Sequence, residues 1–308
     1  MLRSRRAPFL AAAAAVAVGA GVAWGIWTVW RRSRVGVVRA TPEPPREVFV
    51  RVRGLELLTR VWPVAASGTL PVVLVHGYGI SGRYMVPIGD RLAVERPVYA
   101  PDLPGHGRSD DPERVLTIAE LADFLASWMS AAGIDRTALL GNSMGCQIVA
   151  ELALRHPERV DRLVLVGPTA DPRARSLPRS LPRFLWTAFS ERLSLVLLVA
   201  WDFLRAGLPR LWRELDVLFG DRLEDKLGRI AAPVLIVRGG RDRLVSEEWA
   251  EELAGRLQRG SLRVVPDGSH ALHYGAPDEL MRLMRPFLEA GALPVYSLPD
   301  GIPIEAQP

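Results

Sequence analysis

The sequence predicts an α/β fold built on a mainly parallel, eight-stranded sheet. Short apolar runs bounded by turn residues alternate with longer amphipathic segments, which predicts strands joined by helical crossovers. Two runs near the start instead alternate apolar and polar residues, which predicts an antiparallel hairpin. Because helices recur between the later strands, we expect them on both faces of one sheet. The predicted strands are residues 47–53, 56–62, 72–75, 98–101, 138–141, 163–166, 234–237 and 262–265.

The first 40 residues differ in composition from the rest of the chain. Residues 7–30 contain no charged side chain and are rich in alanine and valine. At about 1.5 Å per residue, a helix of this length crosses the roughly 30 Å hydrocarbon core of a bilayer. Arginines flank the run on both sides, and three tryptophans lie near its end, as at a membrane interface. Residues 1–40 are therefore predicted to be a single-pass membrane anchor, with a cleaved signal peptide as the alternative.

The remaining chain divides simply. Residues 41–46 are proline-rich and predict a stiff spacer, residues 47–290 hold the predicted sheet, and residues 291–308 predict an irregular tail. The stretch 168–229 is too long for a loop inside a compact domain. It carries three apolar runs, interrupted by Pro182 and Pro209, which predict helices at 181–189, 193–204 and 208–219.

Charge excludes one class of function. The chain has 39 Lys and Arg against 34 Asp and Glu, but seven of the arginines precede Thr41, where there are no acidic residues. The predicted α/β domain is therefore close to neutral, and its composition gives no indication of nucleic-acid binding. The basic residues around the apolar run suit anionic lipid headgroups, so the expected macromolecular partner is a lipid bilayer.

The segment Gly141-Asn142-Ser143-Met144-Gly145 lies between a predicted buried strand and a predicted helix. A serine flanked in this way occupies a sharp turn that admits only very small residues two positions to either side. Such a turn exposes the hydroxyl above the end of the sheet. We therefore predict that Ser143 is a catalytic nucleophile.

A serine nucleophile needs a base and an acidic residue that orients the base. Asp242 follows the predicted strand 234–237, and His270 follows the predicted strand 262–265, so both lie in loops at the same edge of the sheet. The order Ser, Asp, His and these positions predict a triad of Ser143, Asp242 and His270. Asp267 is the alternative acid and His273 the alternative base.

An oxyanion hole needs two backbone N–H groups. Met144 follows the predicted nucleophile and supplies one of them. Tyr78 lies in the loop His76-Gly77-Tyr78-Gly79 after the predicted strand 72–75 and supplies the other. The Tyr78 side chain either shapes an acyl pocket or only packs, and His76 is expected to stabilise the loop rather than to act in catalysis.

Together these residues resemble the α/β-hydrolase superfamily, in its esterase, lipase and carbon–carbon hydrolase group. Further matching segments are Pro101-Asp102-Leu103-Pro104-Gly105-His106-Gly107-Arg108-Ser109, Gly240-Arg241-Asp242 and Gly268-Ser269-His270. The resemblance covers residues 48–288 and implies that the insertion 168–229 is a helical cap over the site. It assigns the His106 segment a supporting role. Cys146 departs from the usual glycine and is interpreted as structural.

The predicted triad needs no metal or organic cofactor, and no residues have metal-ligand spacing. Together with the predicted anchor, an apolar cap favours a small, hydrophobic ester or acyl substrate delivered from lipid. The cap aromatics are expected to give the cap an apolar underside; they are Trp186, Phe189, Trp201, Phe203, Trp212 and Phe219. Carbon–carbon hydrolysis, thioester hydrolysis and perhydrolysis use the same triad and stay open, as does a non-catalytic binding protein. Arg173, Arg175 and Arg179 would bind a substrate carboxylate in a carbon–carbon hydrolase, or are simply solvated.

Overall fold

The computed structural model describes residues 43–62, 69–169 and 171–289. The predicted anchor, residues 41–42 of the predicted spacer and the predicted tail lie outside the described residues. Within the described part of the chain, no helix has both the length and the apolar character needed to cross a membrane.

The sheet has eight strands in the order β1-β2-β4-β3-β5-β6-β7-β8. β1 and β2 form an antiparallel hairpin, β2 pairs antiparallel with β4, and the remaining pairs are parallel, which confirms the predicted mainly parallel sheet. Arg53 and Gly54 connect the hairpin with φ values of 49° and 87°, the sign that a tight hairpin turn requires. In chain order, the strands β1 to β8 are Arg46–Val52, Leu55–Trp62, Val72–Val75, Val98–Pro101, Thr137–Asn142, Val160–Val166, Val234–Gly239 and Gly260–Val265.

Both faces of the sheet are buried, which explains why its inner strands are continuous apolar runs. Along β3, Val73 and Val75 face one core cluster, while Val72 and Leu74 face the other. The first cluster contains residues of α2 (Ile118–Ala131), α3 (Met144–Arg155) and α8 (Glu247–Gly255). The second contains residues of α1 (Val86–Leu92) and α10 (Pro277–Glu289). The helices therefore flank the sheet on both sides, as predicted.

The insertion after β6 contains α4 (Leu177–Ser190), α5 (Leu193–Ala206), α6 (Leu208–Gly220) and the short α7 (Leu223–Leu227). We refer to α4, α5 and α6 as the cap helices. Pro209 lies in the first turn of α6, where its missing N–H has no cost. Pro182 differs from expectation, because α4 begins four residues earlier than predicted and continues through it. A short helix, α9 (Leu272–Gly275), follows β8.

Candidate active site

Ser143 forms the junction between β5 and α3 in a backbone conformation that side chains rarely adopt. Its φ and ψ are 57° and −121°, and Arg53 is the only other described non-glycine residue with a positive φ. A Cβ atom on Gly141 would lie 2.5 Å from the Gly145 carbonyl oxygen, and one on Gly145 would lie 2.4 Å from the Val75 carbonyl oxygen. The turn therefore excludes any side chain at both flanking positions, for the reason that the sequence indicated.

Asp242 and His270 come together at the same edge of the sheet. Asp242 lies just past the end of β7, and its Oδ2 accepts a hydrogen bond from His270 Nδ1 at 2.7 Å. The other carboxylate oxygen accepts the backbone N–H groups of Leu244 and Val245, so Asp242 has a fixed orientation. Because Nδ1 carries the proton, Nε2 is the nitrogen of His270 that is able to accept one.

The loop of His270 lies beside the Ser143 turn. Asn142 precedes Ser143, and its side-chain amide donates to the His270 carbonyl oxygen at 3.3 Å and to the Val166 carbonyl oxygen at 2.9 Å. Burial lowers the pKa of His270, but the charge and hydrogen bond of Asp242, together with the charge of Glu191, raise it above the ordinary value. The geometry therefore favours a protonated imidazolium when a proton is transferred to this ring.

The two alternative residues occupy different surroundings. Asp267 is exposed and pairs with Arg241 rather than with either histidine. His273 is fully buried with its ring 4.3 Å from the ring of Tyr84, and burial together with the His270 charge lowers its pKa to about 3. The structure therefore brings Asp242 and His270 together and leaves Asp267 and His273 out of that pair.

The loop after β3 lies against the Ser143 turn. A Cβ atom on Gly77 would be 3.1 Å from the Ser143 Cβ atom. The Gly77 N–H donates to the Tyr84 hydroxyl at 2.8 Å, and that hydroxyl donates to the Asn142 side-chain oxygen at 2.8 Å. Tyr84, which the sequence did not single out, thus connects this loop to the turn that carries Ser143.

The two predicted oxyanion donors lie on these connected segments. Met144 is the first residue of α3, where backbone N–H groups have no partner inside the helix. The Tyr78 N–H belongs to the loop that Tyr84 fixes, while the Tyr78 hydroxyl donates to the Leu211 carbonyl oxygen of α6 at 2.8 Å. The Tyr78 ring also packs edge-on against Phe203 of α5, with ring centroids 5.6 Å apart. Tyr78 therefore joins the loop to the cap.

His76 has the supporting position that the sequence indicated. Its Nε2 accepts the Leu103 N–H at 2.9 Å, and its Nδ1 lies 3.0 Å from the Gly77 carbonyl oxygen, to which it donates. Burial holds the pKa of His76 well below its usual range, so the ring is neutral and both nitrogens are used. Cys146 is also buried, and its thiol donates to the Gly141 carbonyl oxygen at 3.2 Å, which agrees with a structural role.

Three carboxylates of the cap region reach the loops of the site, and the sequence predicted none of them. Glu191, between α4 and α5, accepts hydrogen bonds from Ser269 and Ala271 on either side of His270. Asp202 of α5 accepts the N–H and the hydroxyl of Ser81, just past the Tyr78 loop. The only sequence signal for Asp202 was a lone acidic residue within a mostly apolar helix.

The third cap carboxylate belongs to Glu214 of α6. Its Oε1 lies 2.6 Å from the Nε2 atom of His106, and both side chains are buried. Burial opposes charge on both groups, but each partner stabilises the other, so the pKa of His106 is raised and that of Glu214 is lowered. Because Nδ1 of His106 faces the Pro104 carbonyl oxygen at 3.1 Å, both ring nitrogens carry protons when the pair is charged.

The aromatic side chains of the cap helices are placed differently from expectation. The aromatic side chains do not form an apolar underside as a group: Trp186, Phe189, Trp201 and Trp212 are exposed, and Phe203 is the one that contacts Tyr78. The inward positions of these helices are instead taken by acidic and aliphatic side chains, including Asp202, Glu214, Leu195 and Leu211.

Two of the three arginines at the start of the insertion pair with protein carboxylates, while the third, Arg179, is exposed. Arg173 pairs with Asp171 and Glu252, and Arg175 pairs with Glu224. These carboxylates already neutralise the guanidinium groups that a substrate carboxylate would need. Among residues 43–62, 69–169 and 171–289, no group of three or more His, Cys, Asp and Glu side chains is placed to hold a metal ion.

Comparison with known proteins identifies the family. The Alpha/beta hydrolase family matches residues 72–283. A pimeloyl-[acyl-carrier protein] methyl ester esterase from Neisseria meningitidis is 32% identical over 248 residues, which cover 71% of this chain and 93% of that protein. A 1-acylglycerol-3-phosphate O-acyltransferase from Sus scrofa is 40% identical over 112 residues, or 34% of this chain and 32% of that protein.

This chain spans only about a third of the length of several curated relatives, among them the Sus scrofa acyltransferase. Among solved structures, a membrane phospholipase A described as a bacterial virulence factor superposes with a TM-score of 0.69 at 23% identity, covering 92% of this chain and 98% of that one. This likeness concerns the fold alone. The family match over residues 72–283 and the esterase relative show that the chain belongs to the α/β hydrolase family.

Proposed function

We propose that this protein is a hydrolase that cleaves carboxylic esters through Ser143, His270 and Asp242. The observation that carries the proposal is the 2.7 Å hydrogen bond from His270 to Asp242, next to a serine held at a φ of 57°. A fixed acid, a base oriented by it and a serine on a sharp turn are the three parts that acyl transfer by serine requires.

In the proposed reaction, Ser143 Oγ attacks the acyl carbon while His270 Nε2 takes the hydroxyl proton. The negative charge on the carbonyl oxygen is stabilised by the Tyr78 and Met144 N–H groups. His270 then gives its proton to the leaving alkoxide, which departs as the alcohol and leaves Ser143 acylated. Water attacks the acyl group with His270 again as base, and the acid and the free serine are released. Asp242 stabilises the imidazolium in both halves.

The surroundings of Tyr78 support an apolar acyl group. Phe203 contacts Tyr78, Phe184 stacks on Phe203 with ring centroids 6.1 Å apart, and Leu211 lies against the same loop. These side chains cover the loop that carries a proposed oxyanion donor, and they offer no charged group to a substrate. An ester with a hydrophobic acyl chain is therefore the substrate class that this region fits best.

The outer surface of the cap supports a membrane location. Eight of the twelve exposed large hydrophobic side chains in the described residues belong to the cap helices, and Phe189 is 90% exposed. Tryptophan, phenylalanine and leucine mixed with arginine characterise surfaces that lie in a lipid headgroup region. We propose that this surface contacts the bilayer, that residues 7–30 anchor the chain to it, and that the substrate enters from lipid. The eight exposed hydrophobic side chains of the cap helices are Leu181, Leu185, Trp186, Phe189, Trp201, Leu204, Leu208 and Trp212.

The reaction is tested with the full-length chain on nitrophenyl esters of increasing acyl length, beside its Ser143→Ala variant. We expect turnover that is lost in the variant and that increases from acetyl to longer acyl chains. Covalent labelling by a fluorophosphonate, measured by mass spectrometry, identifies Ser143 independently of any substrate. Labelling without ester turnover would replace the ester by a thioester or a carbon–carbon substrate. A folded protein that neither turns over esters nor labels would be a binding protein.

The membrane proposal has its own test. Turnover of a long-chain ester presented in vesicles that contain anionic lipid, and of a soluble short ester, is compared for the wild-type chain, for the double variant Trp186→Ser/Phe189→Ser and for Phe49→Ser. Phe49 is the matched control, because it is 51% exposed on β1, outside the cap. Only the cap variant should lose turnover of a long-chain ester presented in vesicles, while it retains turnover of a soluble short ester. Equal loss in the Phe49 variant would contradict a specific role of the cap surface.

A further inference from the structure

Glu191 makes two contacts that together bracket His270. Its Oε1 accepts the Ala271 backbone N–H at 2.9 Å, and its Oε2 accepts the Ser269 hydroxyl at 2.8 Å. Ser269 and Ala271 are the immediate neighbours of His270 in the chain. A single carboxylate from the insertion therefore holds the loop on both sides of the proposed base.

These contacts complete the support of a loop that is otherwise held from one side. The Asn142 amide donates to the His270 carbonyl oxygen, and Asp242 accepts from the His270 ring. Both of these partners belong to the sheet domain, at the ends of β5 and β7. Glu191 is the contribution of the cap region, because it lies between α4 and α5. The position of the imidazole thus depends on the seating of the insertion.

The titratable groups that face His270 come from three elements. Asp242 comes from the loop after β7 and Glu191 from the cap, and both raise the pKa of His270. His273 lies on α9 and is neutral, because its pKa is lowered to about 3. Of the two negative charges, only that of Asp242 has a hydrogen bond to the ring, so the influence of Glu191 is exerted through the loop and through space.

We propose that Glu191 is a positioning residue for His270, which makes an orderly seating of the cap a condition for catalysis. The proposal rests on the proposed function, since it assigns Glu191 a role in setting the proposed base. Glu191 touches neither the ring of His270 nor any reacting atom. It fixes the backbone from which the ring projects, and a displacement of about 1 Å at such a group lowers rates by as much as 100-fold.

The substitution Glu191→Gln separates the charge of Glu191 from its geometry. The glutamine oxygen still accepts the Ala271 N–H, and the amide group still faces the Ser269 hydroxyl, which is able to accept a hydrogen bond. Glu191→Ala removes both contacts and the charge. Asp267→Asn is the matched control, because it removes a carboxylate three residues before His270 whose side chain is exposed and pairs with Arg241.

The measurement is the titration of His270 by NMR in the full-length chain labelled at histidine. The chain has five histidines, so the His270 signal is identified by its loss in a His270→Gln variant. We expect the midpoint to move to lower pH in Glu191→Gln and to stay unchanged in Asp267→Asn. The acidic limb of the kcat/KM profile should move in the same direction, with thermal stability preserved. Glu191→Ala should lower kcat by about tenfold or more.

The outcomes distinguish this proposal from the proposed function. An unchanged His270 midpoint in Glu191→Gln, together with unchanged kcat in Glu191→Ala, would overturn the role of Glu191 even if Ser143→Ala abolishes turnover. A shifted midpoint with no ester turnover by the wild type would support the coupling of Glu191 to His270 and contradict the esterase. If Glu191→Ala does not fold, Ser269→Ala decides, because it removes the Ser269–Glu191 hydrogen bond and leaves the charge of Glu191 in place. A lowered kcat in Ser269→Ala would support the positioning role, and an unchanged kcat would overturn it.

Discussion

Replacing Ser143 by glycine should make the protein more stable although it removes the proposed nucleophile. Ser143 has a φ of 57° and a ψ of −121°, well away from the small left-handed region that side chains tolerate. Holding a side chain in such a conformation costs about 1–3 kcal/mol. Glycine has no Cβ and does not meet this cost, but it gives the unfolded chain freedom worth about 0.4–1 kcal/mol. The net expected gain in the free energy of unfolding is between about 0 and 2.6 kcal/mol, centred on about 1.3 kcal/mol.

The reference is Ser143→Ala, because alanine also lacks the hydroxyl but retains the Cβ atom and hence the backbone strain. Urea unfolding of both variants gives the difference in their free energies of unfolding. Ala132→Gly is the control for the general effect of glycine, since Ala132 has an ordinary φ of −86° at the end of α2. The Ala132→Gly variant should lose about 0.4–1 kcal/mol of unfolding free energy. If Ser143→Gly is no more stable than Ser143→Ala, the backbone conformation at position 143 does not destabilise the folded protein, and the prediction is wrong.

Two further predictions concern the packing and the charge of the site. Gly145→Ala should lose about 1–3 kcal/mol of unfolding free energy, because its Cβ would lie 2.4 Å from a backbone carbonyl oxygen. Gly255→Ala, with no atom within 4 Å, should lose nothing in the same urea titration. For the Glu214–His106 pair, the pKa of His106 is raised from 6.5 and that of Glu214 is lowered from 4.5. The melting temperature of the wild type should therefore exceed that of Glu214→Gln by the largest amount between pH 4.5 and 6.5. Above pH 6.5 this difference should decline. A difference that persists at high pH would contradict a charged pair.

The strands were predictable because each obeys a local rule. All four residues of β3 are buried, and both faces of its strand pack against core clusters, so a continuous apolar run marks it in the sequence. β8 begins at Gly260, two residues before its prediction, because it is an edge strand with mostly half-buried or exposed residues. At an edge, one side of the strand lacks a partner, and the apolar pattern that locates its end is weak.

The pair of Asp242 and His270 was also predictable, because each residue follows a strand whose carboxyl end lies at the same edge of the sheet. The cap contacts were not. Glu191 lies between two helices with nothing in the neighbouring sequence to mark it, and its partners Ser269 and Ala271 are about 80 residues away. Which loop an inserted helix reaches depends on how the whole insertion is seated. No local periodicity encodes that arrangement.

The cap helices bury two carboxylates and expose several large apolar side chains, and this arrangement joins the two proposals. Glu214 and Asp202 are buried at 1% and 6% exposure and contact the loops of the site, while Phe189 and Leu204 are exposed at 90% and 78%. An amphipathic helix on a water-soluble surface has the opposite arrangement. Buried carboxylates fix position only when their partners stay in place, because an unpaired buried charge costs several kcal/mol. The inward carboxylates hold the cap against the loops of the site, and the outward apolar side chains suit contact with lipid. The same cap therefore serves both proposals, because it also carries the residue that is proposed to position His270.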